Sequence, residues 1–154
     1  SSRRKVTRIY SDGAEFVIGR ANVLEEGGDL AIVACGIMVL EALRAREMLL
    51  KRGIRATVID MHTVKPLDEE ALLKAAENCG AVVTAENHNA IGGLGSAVAE
   101  VLSEKCPVPL ERVAVFESFG EVGTQDYLQE RFHLTARDIA EKAEKCIGRK
   151  GKKA

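Results

Sequence analysis

The sequence is poor in aromatic residues and lacks several signals that define common protein classes. It has no tryptophan, and aromatic residues make up 4% of its 154 positions. No apolar run approaches the roughly 20 residues that cross a bilayer, and the start, SSRRKVTRIYSDG, lacks the apolar segment of a secretory signal. The net charge of −1 provides no general attraction for nucleic acid or anionic lipid. We therefore expect a cytoplasmic globular protein with no nucleic-acid or membrane partner.

Cysteine and histidine are too scattered to indicate a metal centre. The four cysteines include no C-x-x-C pair, and the three histidines are far apart in the chain. This spacing fits neither a zinc site nor a disulfide scaffold, so we expect reduced thiols and no metal ligands. The chain also lacks a G-x-x-x-x-G-K-[ST] phosphate loop and a G-x-S-x-G nucleophile elbow.

The stretch from Asp29 to Gly95 alternates short apolar runs with amphipathic ones. Unbroken apolar runs typify strands buried on both faces of a parallel sheet, and helical periodicity marks the connections between them. Asp68 suits a helix N-cap, and Gly80 suits the position after that helix. Thr135, with Asp138 three residues on, is arranged like a capping box at the start of the last helix. The predicted strands are 30–35, 55–61, 81–85 and 112–116, and the predicted helices are 37–52, 69–79, 96–105, 126–132 and 135–147.

The alternation predicts a three-layer α/β/α sandwich with about five strands, mostly parallel. A first short strand within Phe16–Leu24 is expected at an edge. The glycines that follow favour its return as an antiparallel hairpin partner of the next strand. We expect one domain over residues 16–148. A linker remnant would occupy 1–15, and a basic, solvated tail 149–154.

The loop from Glu86 to Gly95 is the most informative candidate site. Ligands of open α/β sheets usually bind beyond the carboxyl ends of the strands, and a glycine-rich turn into a helix attracts anions. Glu86, His88, Gly92, Gly93 and Gly95 are therefore candidates for an anion site. The alternative, which the residues favour, is that the glycines allow close packing while Glu86 and His88 meet a neighbouring domain. The G-G-x-G pattern argues against a dinucleotide site.

Two further segments leave their roles open. His62 follows a predicted strand and could act as a base, although a hydrogen-bonded structural role is more common for such a histidine. Glu117–Tyr127 is polar and spaced by glycines, which fits a subunit contact and a surface turn equally well. The residues alone give no complete active site, and this favours a domain of a larger protein.

The segments DLAIVACGIMVLEAL, RATVIDMHTVKPLD and VTAENHNAIGGLGSAVAEVL are together specific. In this order and spacing, over about residues 16–147, the chain resembles the C-terminal domain of transketolase-like thiamine diphosphate enzymes. The ending FGEVGTQDYLQERFHLTARDIAEKA looks most like the C-terminal subunit of split transketolases. The beta chain of 2-oxoacid dehydrogenases and deoxyxylulose phosphate synthase share the core pattern and remain alternatives.

The resemblance implies a parent transferase that moves a two-carbon ketol unit between sugar phosphates. That enzyme uses thiamine diphosphate and Mg²⁺, both bound between its pyrimidine-binding and diphosphate-binding domains at a dimer interface. The G-D-G and N-N motif of those domains is absent here, as is the domain that carries the activating glutamate. The resemblance therefore assigns no catalytic, cofactor-binding or metal-binding residue. It predicts a domain that is inactive alone and supports domain packing and a homodimer. A stand-alone anion-binding module is the remaining alternative.

Overall fold

A computed structural model describes residues 7–116 and 121–151. The strands of the described chain are β1 (Asn22–Glu25), β2 (Leu30–Ala34), β3 (Ala56–Asp60), β4 (Val82–Asn89) and β5 (Leu110–Val115). The helices are α1 (Met38–Leu50), α2 (Glu69–Cys79), α3 (Leu94–Lys105), α4 (Gln125–Arg131) and α5 (Ala136–Ile147). No helix in the described ranges combines the length and the apolar character that crossing a bilayer requires.

The five strands form one sheet in the order β1-β3-β2-β4-β5. Strands β2 to β5 are parallel, and β1 pairs antiparallel with β3, which places Asn22 opposite Asp60. The predicted mostly parallel sheet with one antiparallel edge strand is therefore confirmed. The expected hairpin between β1 and β2 is wrong, because β2 uses both of its edges to pair with β3 and β4.

Helices cover both faces of the sheet and enclose two apolar clusters. Leu30, Ile32 and Ala34 of β2 contribute to the cluster beneath α1 and α5. Ala31 and Val33, which alternate with them, contribute to the cluster beneath α2 and α3. All five residues are completely buried. An unbroken apolar run was therefore the correct signal for a strand covered on both sides.

Local capping signals act as the sequence predicts. The Asp68 side chain accepts a hydrogen bond from the Ala71 N–H, and Gly80 ends the same helix with a φ of 66°. Thr135 and Asp138 form a reciprocal capping box at the start of α5. These local hydrogen bonds satisfy helix-end groups and fix where α2 and α5 begin.

Both predicted terminal segments contact the domain where they are described. The Tyr10 hydroxyl donates to Asp60 Oδ2 at 2.6 Å, which ties residues N-terminal to position 16 to the end of β3. At the other end, Arg149 Nη1 donates to the Leu110 carbonyl at 2.9 Å, and Lys150 Nζ donates to the Asp29 carbonyl. The domain boundaries at 16 and 148 remain predictions, and residues 1–6 and 152–154 lie outside the described chain.

Candidate functional site

The candidate residues lie at the carboxyl edge of the parallel strands. The chain leaves β2 for β3 on one side and later returns to β4 on the other, so the strand order reverses between β2 and β4. Such a switch point is where ligands of open α/β sheets usually bind. Gly36 follows β2, His62 follows β3, and the 86–95 segment adjoins this crevice. A Cβ on Gly36 would lie 3.7 Å from Asn87 Oδ1, which shows how closely β2 and β4 approach there.

Glu86 lies within a strand, and the expectation that it belongs to a loop is wrong. Strand β4 continues through Asn89, which pairs with Val115 of β5. The polar composition of 86–89 concealed this extension, because a strand that leaves the core no longer needs apolar residues. Glu86 is only 2% exposed. It is therefore one of the few charged side chains inside the domain.

The Glu86 carboxylate caps helix α3 from a distance. Its Oε2 accepts a hydrogen bond from the Leu94 N–H, and its Oε1 accepts one from the Gly95 N–H, both at 2.8 Å. Residue Gly93, at the N-cap, supplies no capping side chain. The negative carboxylate also lies at the positive end of the helix dipole, where it is stabilising. An incoming anion would therefore have to displace this carboxylate from the same two donors.

Two of the candidate glycines permit close approach between β4 and α3. A Cβ on Gly93 would stand 2.0 Å from Glu86 Oε2, and one on Gly95 would stand 2.9 Å from Thr84 Oγ1. Neither distance is compatible with a real side-chain contact. Gly92 differs, since it has open space around it and a φ of 77°. Gly93 and Gly95 therefore leave room for the buried carboxylate and for the close packing of α3 on β4, which agrees with the packing alternative given above.

His88 is exposed and separate from the buried carboxylate. It lies between Asn87 and Asn89, which are also exposed, and Ile91 beyond them is 68% exposed. Because both oxygens of Glu86 bond to α3, the arrangement provides no acid–base pair between Glu86 and His88. The exposed segment instead resembles a contact surface, with polar residues around one large apolar side chain.

The end of β3 carries a polar cluster that the sequence analysis missed. Tyr10, Asn22 and Asp60 are joined through the Tyr10 hydroxyl, which accepts a hydrogen bond from Asn22 Nδ2 at 3.4 Å. Burial, together with the hydrogen bond to Asp60, raises the pKa of Tyr10 to about 12. Tyr10 is distant from Asp60 in sequence, so no local pattern could have linked them.

His62 packs against an aromatic ring, and Cys35 is half-buried. The His62 ring meets the Phe16 ring edge-on at 5.2 Å, and its Nε2 is buried without a hydrogen-bond partner in the described chain. Burial raises the pKa of the Cys35 thiol to about 11, with smaller contributions from the carboxylates of Glu86 and Asp60. A thiol with so high a pKa is a poor nucleophile at neutral pH. Across the described ranges, no three metal-ligating side chains come together.

Exposed apolar side chains concentrate at this same edge. Residues 16–18 lead into β1, which runs antiparallel from the carboxyl end of β3, whereas Val64, Ile91 and Phe116 each follow a parallel strand. Their exposures run from 38% for Val64 to 78% for Ile18. We call Phe16, Val17, Ile18, Val64, Ile91 and Phe116 the carboxyl-edge surface. Of segment 117–127, for which the sequence favours a subunit contact and a surface turn equally, residues 117–120 lie outside the described chain, and Thr124 caps α4.

Comparison with known proteins agrees with the fold and its topology. Residues 19–139 match the family model described as transketolase, C-terminal domain. The chain is 57% identical over 148 residues to the 6-deoxy-6-sulfo-D-fructose transketolase subunit SqwH of Clostridium sp. (strain MSTE9), covering 96% of this chain and 46% of that protein. It is 42% identical over 139 residues to 1-deoxy-D-xylulose-5-phosphate synthase 1 of Geobacter sulfurreducens, covering 89% of this chain and 22% of that protein.

Among solved structures, a split gene transketolase described as an inactive beta4 tetramer matches with a TM-score of 0.93 and 49% identity. The match covers 96% of this chain and 48% of that one. The chain therefore spans about half the length of such subunits. The family match extends over most of the sequence and includes all five strands and helices α1 to α4. The chain belongs to the transketolase C-terminal domain family.

Proposed function

We propose that this chain is the C-terminal, non-catalytic domain of a transketolase-type enzyme. In this proposal the domain holds the catalytic domains in their dimeric arrangement and has no turnover alone. The parent enzyme transfers a two-carbon ketol unit between sugars that carry an anionic group, with sugar phosphates as the main class. A cytoplasmic location and a homo-oligomeric assembly are part of the same proposal.

The residues of this chain support the assignment of catalysis and cofactor binding to other domains of the parent enzyme. The sequence lacks the G-D-G and N-N motif, and its described residues form no metal-ligating cluster. Its buried carboxylate at Glu86 caps a helix and is not free to act on a substrate. We assign thiamine diphosphate and Mg²⁺ to the pyrimidine-binding and diphosphate-binding domains of the parent. Similarity to a deoxyxylulose phosphate synthase keeps that related thiamine enzyme as the alternative parent.

The carboxyl-edge surface is the single observation that carries the docking role. Large apolar side chains rarely cluster on a free surface, and a cluster at one end marks a contact with another protein unit. The segment that enters the domain, residues 16–18, belongs to this surface. A domain attached through that segment would therefore lie against the same end. We infer that the pyrimidine-binding domain covers this surface, with His88 at its polar rim.

The proposal can be tested by reconstitution with a polypeptide that contains the two missing domains. This chain alone should show no ketol transfer, and the mixture should be active. Ile91→Ser should weaken association at least about tenfold, because Ile91 is 68% exposed here and would be buried in the complex. Leu50→Ser is the matched control, since Leu50 is 44% exposed on α1, away from this edge. Equal association of the two variants would remove the assigned docking face.

A further inference from the structure

A cavity of about 540 Å³ opens along the free edge of β5, where α4 and α5 form its other walls. This volume lies within the range of roughly 300–1,000 Å³ that holds small organic ligands. The cavity borders the carboxyl-edge surface only at Phe116, and none of the residues considered so far as ligand-binding candidates lines it. It is therefore a separate feature of the domain.

The β5 edge gives this cavity backbone donors and acceptors. The carbonyls of Pro109 and Val115 accept hydrogen bonds from Val82 and Ala90 on the β4 side. Peptide groups alternate in direction along a parallel strand, so those of Arg112 and Ala114 point to the free edge. At the start of this edge, Arg149 donates a hydrogen bond to the Leu110 carbonyl. The backbone of Arg112 and Ala114 is left facing the cavity.

The side chains lining the cavity carry an excess of positive charge. Four lining side chains are cations: Arg112, whose guanidinium donates to the Ala90 carbonyl at 3.0 Å, Arg131, which pairs with Glu121 at 3.0 Å across partly exposed side chains, Lys142 and Lys145. The lining also holds two carboxylates, Asp138 and Glu141. One of these, Asp138, is engaged by the Thr135 N–H at 2.9 Å and by the Thr135 hydroxyl in the capping box. A cavity of this composition favours an anionic group, since charge-assisted hydrogen bonds from Lys and Arg to phosphate are among the stronger ones.

Lys142 or Lys145 can turn to a ligand with little loss of ion pairing to Glu111. Lys142 and Lys145 both donate to Glu111 Oε2 at 3.3 Å, and Arg149 donates to Glu111 Oε1 at 2.9 Å. One carboxylate therefore has three cationic partners. If either lysine turned to a phosphate, the buried Glu111 would keep at least two of its ion pairs. The side chain of Lys145 is 63% exposed, so it has room for such a change.

Aromatic rings complete the walls. The Phe116 ring lies 5.8 Å from the Arg112 guanidinium carbon and is 53% exposed. The Phe132 ring lies at the same distance from that of Arg131. Phe132 is half-buried. Rings beside cations provide an apolar face for a planar or carbon-rich body next to the site for its charge.

A second cavity, of about 820 Å³ between β1 and α2, shows that volume alone does not produce this composition. Its lining includes two cations, Arg20 and Lys74, and three carboxylates: Glu26, Asp68 and Glu70. It is net negative, so it offers no comparable attraction for an anion. The excess of cations is therefore a property of the lining of the first cavity and not of cavity size.

We propose that the cavity beside β5 binds a small organic phosphate. Its phosphate group would contact Arg131 and one of the two lysines, Lys142 or Lys145, so that Glu111 keeps two ion pairs. Its body would lie against the phenylalanine rings and the peptide groups of Arg112 and Ala114. A nucleotide and a sugar phosphate share this chemistry. This site is independent of the proposed transketolase role and requires no domain outside this chain.

Calorimetric titration of this chain with adenosine monophosphate, ribose 5-phosphate, inorganic phosphate and adenosine tests the proposal. We expect saturable binding of at least one of the two organic phosphates. Inorganic phosphate should bind at least about tenfold more weakly, and adenosine without its phosphate should not saturate. Binding should weaken as salt rises, because screening acts on exposed charges. Preference between the two organic phosphates identifies the source of the ligand.

The double variant Lys142→Gln/Lys145→Gln should weaken that binding at least about tenfold. Lys51→Gln/Lys74→Gln is the matched control, since it removes two exposed lysines remote from β5 and should leave the affinity unchanged. Arg131→Gln, which leaves the Glu111 cluster intact, decides the result if the double variant fails to fold, and it too should weaken binding. Saturation by neither organic phosphate would overturn the proposal, as would equal affinities in these variants and the control.

Discussion

The carboxylate of Glu86 occupies the space that a side chain on Gly93 would need. Its Oε2 lies 2.0 Å from the position of a Cβ at residue 93, while the same oxygen accepts the Leu94 N–H at 2.8 Å. Glycine and glutamate are therefore required as a pair. The glycine leaves room for the acid, and the acid caps the helix that the glycine begins.

Gly93→Ala should destabilise the domain by at least about 2 kcal/mol, because overpacking must push a buried, hydrogen-bonded carboxylate from its place. The backbone at Gly93 has a φ of −94°, so the loss would come from contact and not from backbone strain. Gly28→Ala is the matched control, since a Cβ there meets no atom within 4 Å and the change should stay within about 0.5 kcal/mol. Urea unfolding measures both. Equal midpoints for the two variants would contradict the described geometry.

Tyr10→Phe should lower the free energy of unfolding by about 1–3 kcal/mol, because Asp60 is buried and would lose the hydroxyl that donates to it. Tyr127→Phe provides the control. Its hydroxyl donates to Glu121 at 3.2 Å from an exposed side chain, so its removal should cost less than about 0.5 kcal/mol. If the two substitutions cost the same, residues near position 10 do not hold to the domain as described.

The contribution of the Tyr10 hydroxyl to the free energy of unfolding should also fall at alkaline pH. The pKa of Tyr10 is raised in the folded protein from 10.0 to about 12. A raised pKa gives stability that is complete below the unfolded value and is lost as pH rises through the folded one. The stability difference between the wild-type protein and Tyr10→Phe should therefore shrink between about pH 10 and pH 12. A difference that stays constant over this range would refute the assignment.

Glu111→Gln should remove a contribution to the free energy of unfolding that is present at neutral pH and lost at acid pH. Burial alone would raise the pKa of Glu111. Hydrogen bonds from Lys145 and Lys142, the attraction of Lys142 and the bond from Arg149 together outweigh burial and hold the pKa below 4.5. A lowered pKa stabilises the fold above the unfolded value, and this stability disappears as pH falls through the folded value. The variant should lose about 1–3 kcal/mol at pH 7.

The stability of wild type and Glu111→Gln should then converge below pH 4.5 in unfolding experiments. Glu144→Gln is the comparison, because Glu144 pairs with Arg52 at the surface and is 41% exposed. Exposed pairs contribute about 0–1 kcal/mol, so this control should show little dependence on acid. A gap between wild type and Glu111→Gln that persists undiminished at low pH would show that the carboxylate charge is not the cause.

Local signals predicted much of the fold. The buried runs at 30–35 and 81–85 became central strands, and the caps at Asp68 and Thr135 began the helices as expected. The failures involve partners distant in sequence or polar segments. The pairing of β1 with β3 depends on competition among strands, and the continuation of β4 through Asn89 occurs in a polar stretch. Similarly, Tyr10 contacts Asp60 across 50 positions.

The candidate site was only partly predictable for the same reason. The residues at 86–95 identified the correct place, but the sequence could not reveal that Glu86 turns inward to Leu94 and Gly95 while His88 remains exposed. Residues two apart in a regular strand share a face, so the pattern alone could not separate Glu86 from His88. The register of β4 against β5 shifts between Ala85 and Asn89, and this irregularity left no local signal. The cavity beside β5 combines three elements separated in sequence and left no local motif.

The central claim is that this domain supports a thiamine diphosphate enzyme without binding its cofactor. Calorimetric titration of this chain with thiamine diphosphate in the presence of Mg²⁺ tests it most directly. The account predicts no saturable heat with this chain alone, and saturable heat once the pyrimidine-binding and diphosphate-binding domains are added. Saturation near one cofactor for each isolated chain would contradict the account, because it would place a cofactor site within a domain to which we assign none.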